Sequence, residues 1–181
     1  MEKPNIFITG SRTMPWLNTS NTSDIDILIH SQHRLPKIER DQLMQKLLEK
    51  YSSRGILDFH FVSGDCESHV FAYCFQYAEE LEHNQDLPLP DLIELREYVL
   101  DDAYWFVEHS LYKKYYHCLY NIYMYENWYN NQTLELTTDQ KEKINELYQH
   151  KRGDESWFTE ELRADMLTRI EKLLEKVKAE S

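Results

Sequence analysis

Gly10-Ser11, Asp24-Ile25-Asp26 and Asp58 are the residues of this chain whose types and order could do phosphate chemistry. Gly10 lets backbone come close to a phosphate, and Ser11 offers a hydroxyl and an N–H to its oxygens. Asp24 and Asp26 are two apart, so in a strand both carboxylates point to one face. There they could share divalent ions, which activate a hydroxyl and shield a triphosphate. Asp58 supplies a third carboxylate from inside the apolar run ILDFHFV, where an unpaired charge is costly. Three carboxylates on adjacent strands repel one another, and a cation removes that cost. Each part also has an ordinary role. Gly-Ser is common, Asp-x-Asp before a strand also serves as a turn or cap, and Asp58 alone could be an edge-strand charge.

These residues need strands to carry them. Ile6–Thr9 reads as a short buried strand, and Ile25–His30 as a second, with Ile27 and Ile29 opposite Asp26, Leu28 and His30. A helix near 37–51 carries the stripe Met44, Leu47, Leu48 and Tyr51, and Ser52-Ser53-Arg54-Gly55 stops it. Ile56–Val62 is a third strand, with Leu57, Phe59 and Phe61 facing away from Asp58 and His60. Beyond Gly64 the pattern turns helical, over roughly 66–82, 91–109, 111–130, 138–150 and 159–178. Thr137-x-x-Gln140 is a capping box, and Thr159 caps the last helix. The expected fold is therefore α/β (α+β), a small mixed-sheet core over 1–65 followed by a helical domain over 66–181.

Bulk properties narrow the function. The 181 residues are 41% hydrophobic, enough for a core. No apolar run approaches the length of a membrane span, so no membrane partner is expected. The N-terminus lacks the apolar stretch of a signal peptide, and three cysteines without CxxC spacing read as reduced thiols, which predicts a cytoplasmic chain. A net charge of −12 opposes a general nucleic-acid surface but not a nucleotide carried with Mg²⁺. Glu79 to Glu108 holds ten acidic residues against one basic residue, Arg96, which is a solvated face or a surface for a cationic partner.

Two further groups stand out. Arg12 follows the Gly-Ser turn and could contact phosphate, or be an ordinary surface arginine. Lys113 and His117 share a helical face with Lys114 beside them, so a lysine there could hold triphosphate oxygens, or the three could form a solvated basic turn. Tyr104 to Tyr129 is rich in aromatics. They suit the core of the helical part, and so many of them also suggest a homodimer surface. The histidines show no HxH or HExxH spacing for zinc.

Gly10, Ser11, Asp24, Asp26 and Asp58, in this order, resemble the signature of the DNA polymerase beta-like nucleotidyltransferase superfamily. Gly10-Ser11-Arg12, the run Lys113 to Leu119 and the late stretch KRGDESWFTEELRADMLTRIEKLLEK are similar to the predicted nucleotidyltransferases grouped with bacterial RNA-repair operons. Twelve residues separate Ser11 from Asp24, a longer spacer than the family's usual one, and Met14-Pro15-Trp16 stands where a further glycine is often found. The resemblance implies transfer of a nucleoside monophosphate from an NTP to an acceptor hydroxyl, with release of pyrophosphate. It implies Asp24 and Asp26 holding two Mg²⁺ (or Mn²⁺) ions, and Asp58 holding the catalytic metal and helping to deprotonate the acceptor. Gly10, Ser11, Arg12, Lys113, Lys114 and His117 would bind the nucleotide.

The acceptor stays open between an RNA end, a small molecule and a protein. The alternative is a catalytically inactive module of the same fold that binds a nucleotide or a protein partner. A nucleotide-binding Rossmann-like domain reading FITGSR as its phosphate loop is a further rival, but it leaves Asp-x-Asp unexplained.

Overall fold

A computed structural model describes residues 3–14, 16–17, 19, 24–63, 78–84, 86–88, 91–150 and 155–180. The chain forms two compact units, the first Met1–Pro15 with Thr19–Leu92, the second Trp16–Asn18 with Ile93–Ser181. The expected α/β class, with a mixed sheet and a helical C-terminal part, is what the structure has.

Among the described residues the first unit is a four-stranded sheet backed by one α-helix. Strand β1 is Asn5–Thr9, β2 is Ile25–Ser31, α1 is Lys37–Tyr51, β3 is Leu57–Ser63 and β4 is Glu79–Glu82. The strand order is β3-β2-β1-β4. β1 runs antiparallel to β2 and β4, while β2 and β3, joined through α1, are parallel. The alternation read from the sequence decides the faces. Ile25, Ile27 and Ile29 join Ile6 and Ile8 against Leu47 and Tyr51 of α1. Burying each such side chain contributes about 1.5–3 kcal/mol, which holds the strands to one register, because a one-residue slip would turn every apolar group outward. Leu43 completes the helix stripe, and Leu48 is instead 37% exposed. Leu43, Leu47 and Tyr51 lie at spacings of four, one face of the helix.

Glu79–Glu82 differs from the expected helix over 66–82; residues 66–77 lie outside the described residues, and EELE is a strand. β1 leaves an open ladder on its far side, and β4 satisfies it. Glu82 also meets Lys50 at 3.4 Å and Lys46 at 3.9 Å, both on α1. Acidic side chains on this edge discourage further strand addition. The sheet therefore draws residues from beyond the expected boundary at 65, and the two units divide between Leu92 and Ile93.

In the second unit the described α-helices are α2 (Arg96–Glu108), α3 (Tyr115–Asn131), α4 (Thr138–His150) and α5 (Glu160–Glu180). The capping box forms as read. The Gln140 N–H donates to Thr137 Oγ1 at 3.2 Å, and the Thr137 N–H donates to Gln140 Oε1 at 2.9 Å. Thr159 Oγ1 accepts from the Leu162 N–H at 3.1 Å and starts α5. The aromatic run is spent largely on the core: Tyr115, Tyr116, Tyr123 and Tyr125 of α3 are buried. Tyr115 and Tyr112 both meet Phe158, at 5.6 and 5.1 Å between ring centroids. Burial opposes the charge of Arg169, but its two-pronged bond to Glu126, at 2.8 and 2.7 Å, outweighs this and holds its pKa above the ordinary range. No described helix is long and apolar enough to cross a membrane.

Burial pushes the Tyr115 hydroxyl up from 10 to about 12. Between those pH values the folded chain keeps this proton and the unfolded chain has lost it, so stability falls as pH rises. The loss is about 2–3 kcal/mol, fully expressed above the folded value. Urea unfolding at pH 9 and at pH 11 should show a shallower decline in Tyr115→Phe than in the wild type. Equal declines would place the alkaline sensitivity elsewhere.

Candidate metal centre

Asp26 lies on β2, and the parallel register sets Asp58 of β3 directly beside it. His60, two residues along β3, projects from the same face. The three converge. His60 Nε2 lies 3.3 Å from Asp26 Oδ1 and 3.6 Å from Asp58 Oδ2. One donor atom from each residue falls within 4.8 Å of the others, so the group could hold a metal ion. The side chains are 33% exposed for Asp26, 37% for His60 and 59% for Asp58, so Asp26 anchors the group and Asp58 faces water.

The sheet explains this placement. On the α1 face the positions are taken by Ile25, Ile27 and Ile29 with Leu57, Phe59 and Phe61. The alternate positions must then carry Asp26, Asp58 and His60 to the opposite face. There Phe7, Leu28 and Val62 form a second, smaller apolar cluster. Two carboxylates at the start of a parallel strand pair repel each other. Either a metal ion or a proton on His60 relieves that repulsion, so the two compete, and metal binding requires the neutral imidazole.

Gly10 closes one side of the group. Its backbone, at φ 78° and ψ −168°, lies in a region open essentially only to glycine. A Cβ on Gly10 would stand 2.0 Å from Asp26 Oδ2. The missing side chain is thus the space the Asp26 carboxylate occupies. A 3₁₀ turn over Ser11–Thr13 follows, and Thr13 Oγ1 donates to the Gly10 carbonyl at 2.8 Å, tying it shut. The Ser11 hydroxyl has no hydrogen-bond partner among the described residues and is only partly buried. It is available to a ligand. Arg12 is likewise partly buried in this turn.

The structure brings together Asp26, Asp58 and the turn that Gly10 opens. It does not bring in Asp24. The strand begins at Ile25, whose N–H donates to the Ile56 carbonyl at 2.8 Å, and Asp24 is exposed just before it, outside the group of three. The Asp-x-Asp argument needs both residues inside the strand, and only Asp26 is. His60 joins the acids as a third donor; its spacing of two from Asp58 in the same strand is the sequence signal for it.

Lys113, Lys114 and His117 belong to the second unit. Lys113 and Lys114 sit in a 3₁₀ turn, Tyr112–Lys114, ahead of α3 rather than on it. Lys113 is exposed and Lys114 partly buried, while His117 is 5% exposed, its ring 4.1 Å from that of Tyr116. Cys118 is buried, and burial pushes its thiol above the ordinary range, which suits an unreactive thiol. Cys66 and Cys74 lie outside the described residues.

Two carboxylates and one imidazole form a mixed donor set. Carboxylates suit Mg²⁺ and Mn²⁺, and imidazole suits borderline transition metals such as Zn²⁺. Three protein donors among the described residues leave further coordination positions open. Comparison with family models, curated proteins and solved structures finds no match to this chain.

Proposed function

We propose that the chain is a metal-dependent nucleotidyltransferase. The supporting observation is the contact of the glycine turn with the acidic pair: Gly10 leaves room for the Asp26 carboxylate, and Asp26 pairs in register with Asp58. This sets the glycine turn, which carries the Ser11 hydroxyl, beside a group that could hold a metal ion. In the reaction an acceptor oxygen bonds to the α-phosphorus of an NTP, the bond from that phosphorus to the α–β bridging oxygen breaks, and pyrophosphate leaves.

Asp26, Asp58 and His60 would hold the ion, which moves the third donor from Asp24 to His60. A divalent ion there, Mg²⁺ or Mn²⁺, would neutralise triphosphate charge and lower the pKa of a hydroxyl bound to it. The Ser11 hydroxyl and the backbone of the Gly10 turn hold the terminal phosphates, with Arg12 adding charge. Asp58, the most exposed of the three, accepts the acceptor's proton. One observation favours a module that binds without turnover: Asp24 stands outside the group.

Asp58→Ala separates the two readings. It should retain most NTP affinity, carried by the turn and Asp26, and lose pyrophosphate release with every acceptor in a pool of RNA, small molecules and proteins. Because Asp58 is exposed, the fold should survive. Turnover by Asp58→Ala at the wild-type rate would remove Asp58 from the chemistry. A wild type that binds NTP and releases no pyrophosphate with any acceptor would favour the binding module.

A further inference from the structure

At the other end of the parallel strand pair lies a cavity of about 60 Å³, lined by Ser31, Arg34, Arg40, Phe61 and Ser63 among others. It sits at the carboxyl ends of β2 and β3, where α1 begins after Pro36. In open α/β sheets this is where ligands collect. It is five residues along the strands from Asp26 and Asp58, roughly 16 Å at the strand rise. It is therefore separate from the metal centre.

The lining carries two arginines and no carboxylate, in a chain of net charge −12. Neither Arg34 nor Arg40 forms an ion pair among the described residues. The Arg40 guanidinium lies over the Phe61 ring at 5.8 Å, and its Nε is buried without an acceptor. That cation–π contact leaves the charge without a carboxylate partner among the described residues. The Ser63 hydroxyl has no partner among the described residues. Ser31 Oγ already donates to the His33 carbonyl at 2.7 Å, so it can only accept. Positive donors that no carboxylate satisfies, around a space this small, fit a compact oxyanion and exclude a nucleoside.

A second cavity, of about 380 Å³, shares Arg40 and runs along the β3 edge past Lys37 and Phe59 to Asp58. A molecule held at the first cavity by one end thus has open surface leading toward Asp58.

We propose that the Arg34–Arg40 cavity binds a phosphoryl dianion, either free phosphate or the phosphate end of a monoester. The inference goes beyond the nucleotidyltransferase reading and stands without it, since no residue is shared between the cavity and the metal group.

The test is titration of the full chain with inorganic phosphate and, separately, with glycerol 3-phosphate, in EDTA and at constant ionic strength set with chloride. Binding is read by calorimetry and by the change in Tm. Wild type should bind at least one of the two and be stabilised by it where chloride is not; the tighter of the two identifies the source. Arg34→Gln, at an exposed position, and Arg40→Gln should each weaken binding at least tenfold, as expected for losing a charged hydrogen bond. Arg40→Lys, which keeps charge without the planar fork, should fall between Arg40→Gln and wild type. Lys172→Gln, which removes one exposed positive charge from α5 and lines neither cavity, should bind as wild type does. Binding no tighter than chloride, or unchanged in Arg34→Gln with a native circular dichroism spectrum, overturns the assignment. Loss in Ser11→Ala with Arg34→Gln unaffected would place the anion at the Gly10 turn and overturn it as well.

Discussion

Gly10→Ala should lower the unfolding free energy by about 2–6 kcal/mol. Two costs add. The backbone at Gly10 lies where only glycine sits at ease, a penalty of about 1–3 kcal/mol for another residue. The new Cβ would also stand 2.0 Å from Asp26 Oδ2, so the carboxylate must swing away, at a cost typical of overpacking, about 1–3 kcal/mol. The displaced carboxylate can no longer meet His60 at 3.3 Å, so metal affinity should fall with stability. A double-mutant cycle separates the costs. In an Asp26→Ala background the carboxylate is gone, and Gly10→Ala should cost only the backbone part. Equal costs in the two backgrounds, measured by urea unfolding, would mean that the carboxylate does not fill the space beside Gly10.

Asp26→Asn should abolish metal-dependent stabilisation and reduce nucleotidyl transfer about a thousandfold. Asparagine keeps the shape of the side chain, so its contact with Gly10 and the fold should persist. It removes the charge of the most enclosed carboxylate in the group. For the wild type, Mn²⁺ with NTP at a hundred times Kd should stabilise by about 2.7 kcal/mol. In a domain of this size that is a rise in Tm of roughly 5–10 °C. The rate loss corresponds to about 4 kcal/mol of charge stabilisation in the transition state. A rise in Tm that survives in Asp26→Asn would remove Asp26 from the metal centre.

Much of the sheet was legible because its pattern is local. Ile27 and Ile29 against Asp26 and Leu28, and Phe59 and Phe61 against Asp58 and His60, alternate with period two, so each strand announces which residues share a face. The capping box at Thr137 and Gln140 and the cap at Thr159 are contacts three residues apart, and they form as read. Gly10-Ser11 was readable as a tight turn because few residues other than glycine tolerate such backbone.

What the sequence could not determine was where strands end and which strands meet. Asp24 and Asp26 look equivalent in the sequence. Only the pairing of Ile25 with Ile56 decides that β2 begins between them, admitting Asp26 and leaving Asp24 outside. Glu79–Glu82 has no strand character of its own; it is a strand because β1 offers it unpaired backbone groups from a distant part of the chain. Helices are made by contacts along the chain, and their signals are written next to one another. A sheet edge, a three-residue metal group or a cavity walled by Arg34, Arg40 and Ser63 comes from segments far apart in sequence, and the physics that joins them acts only once the chain has folded.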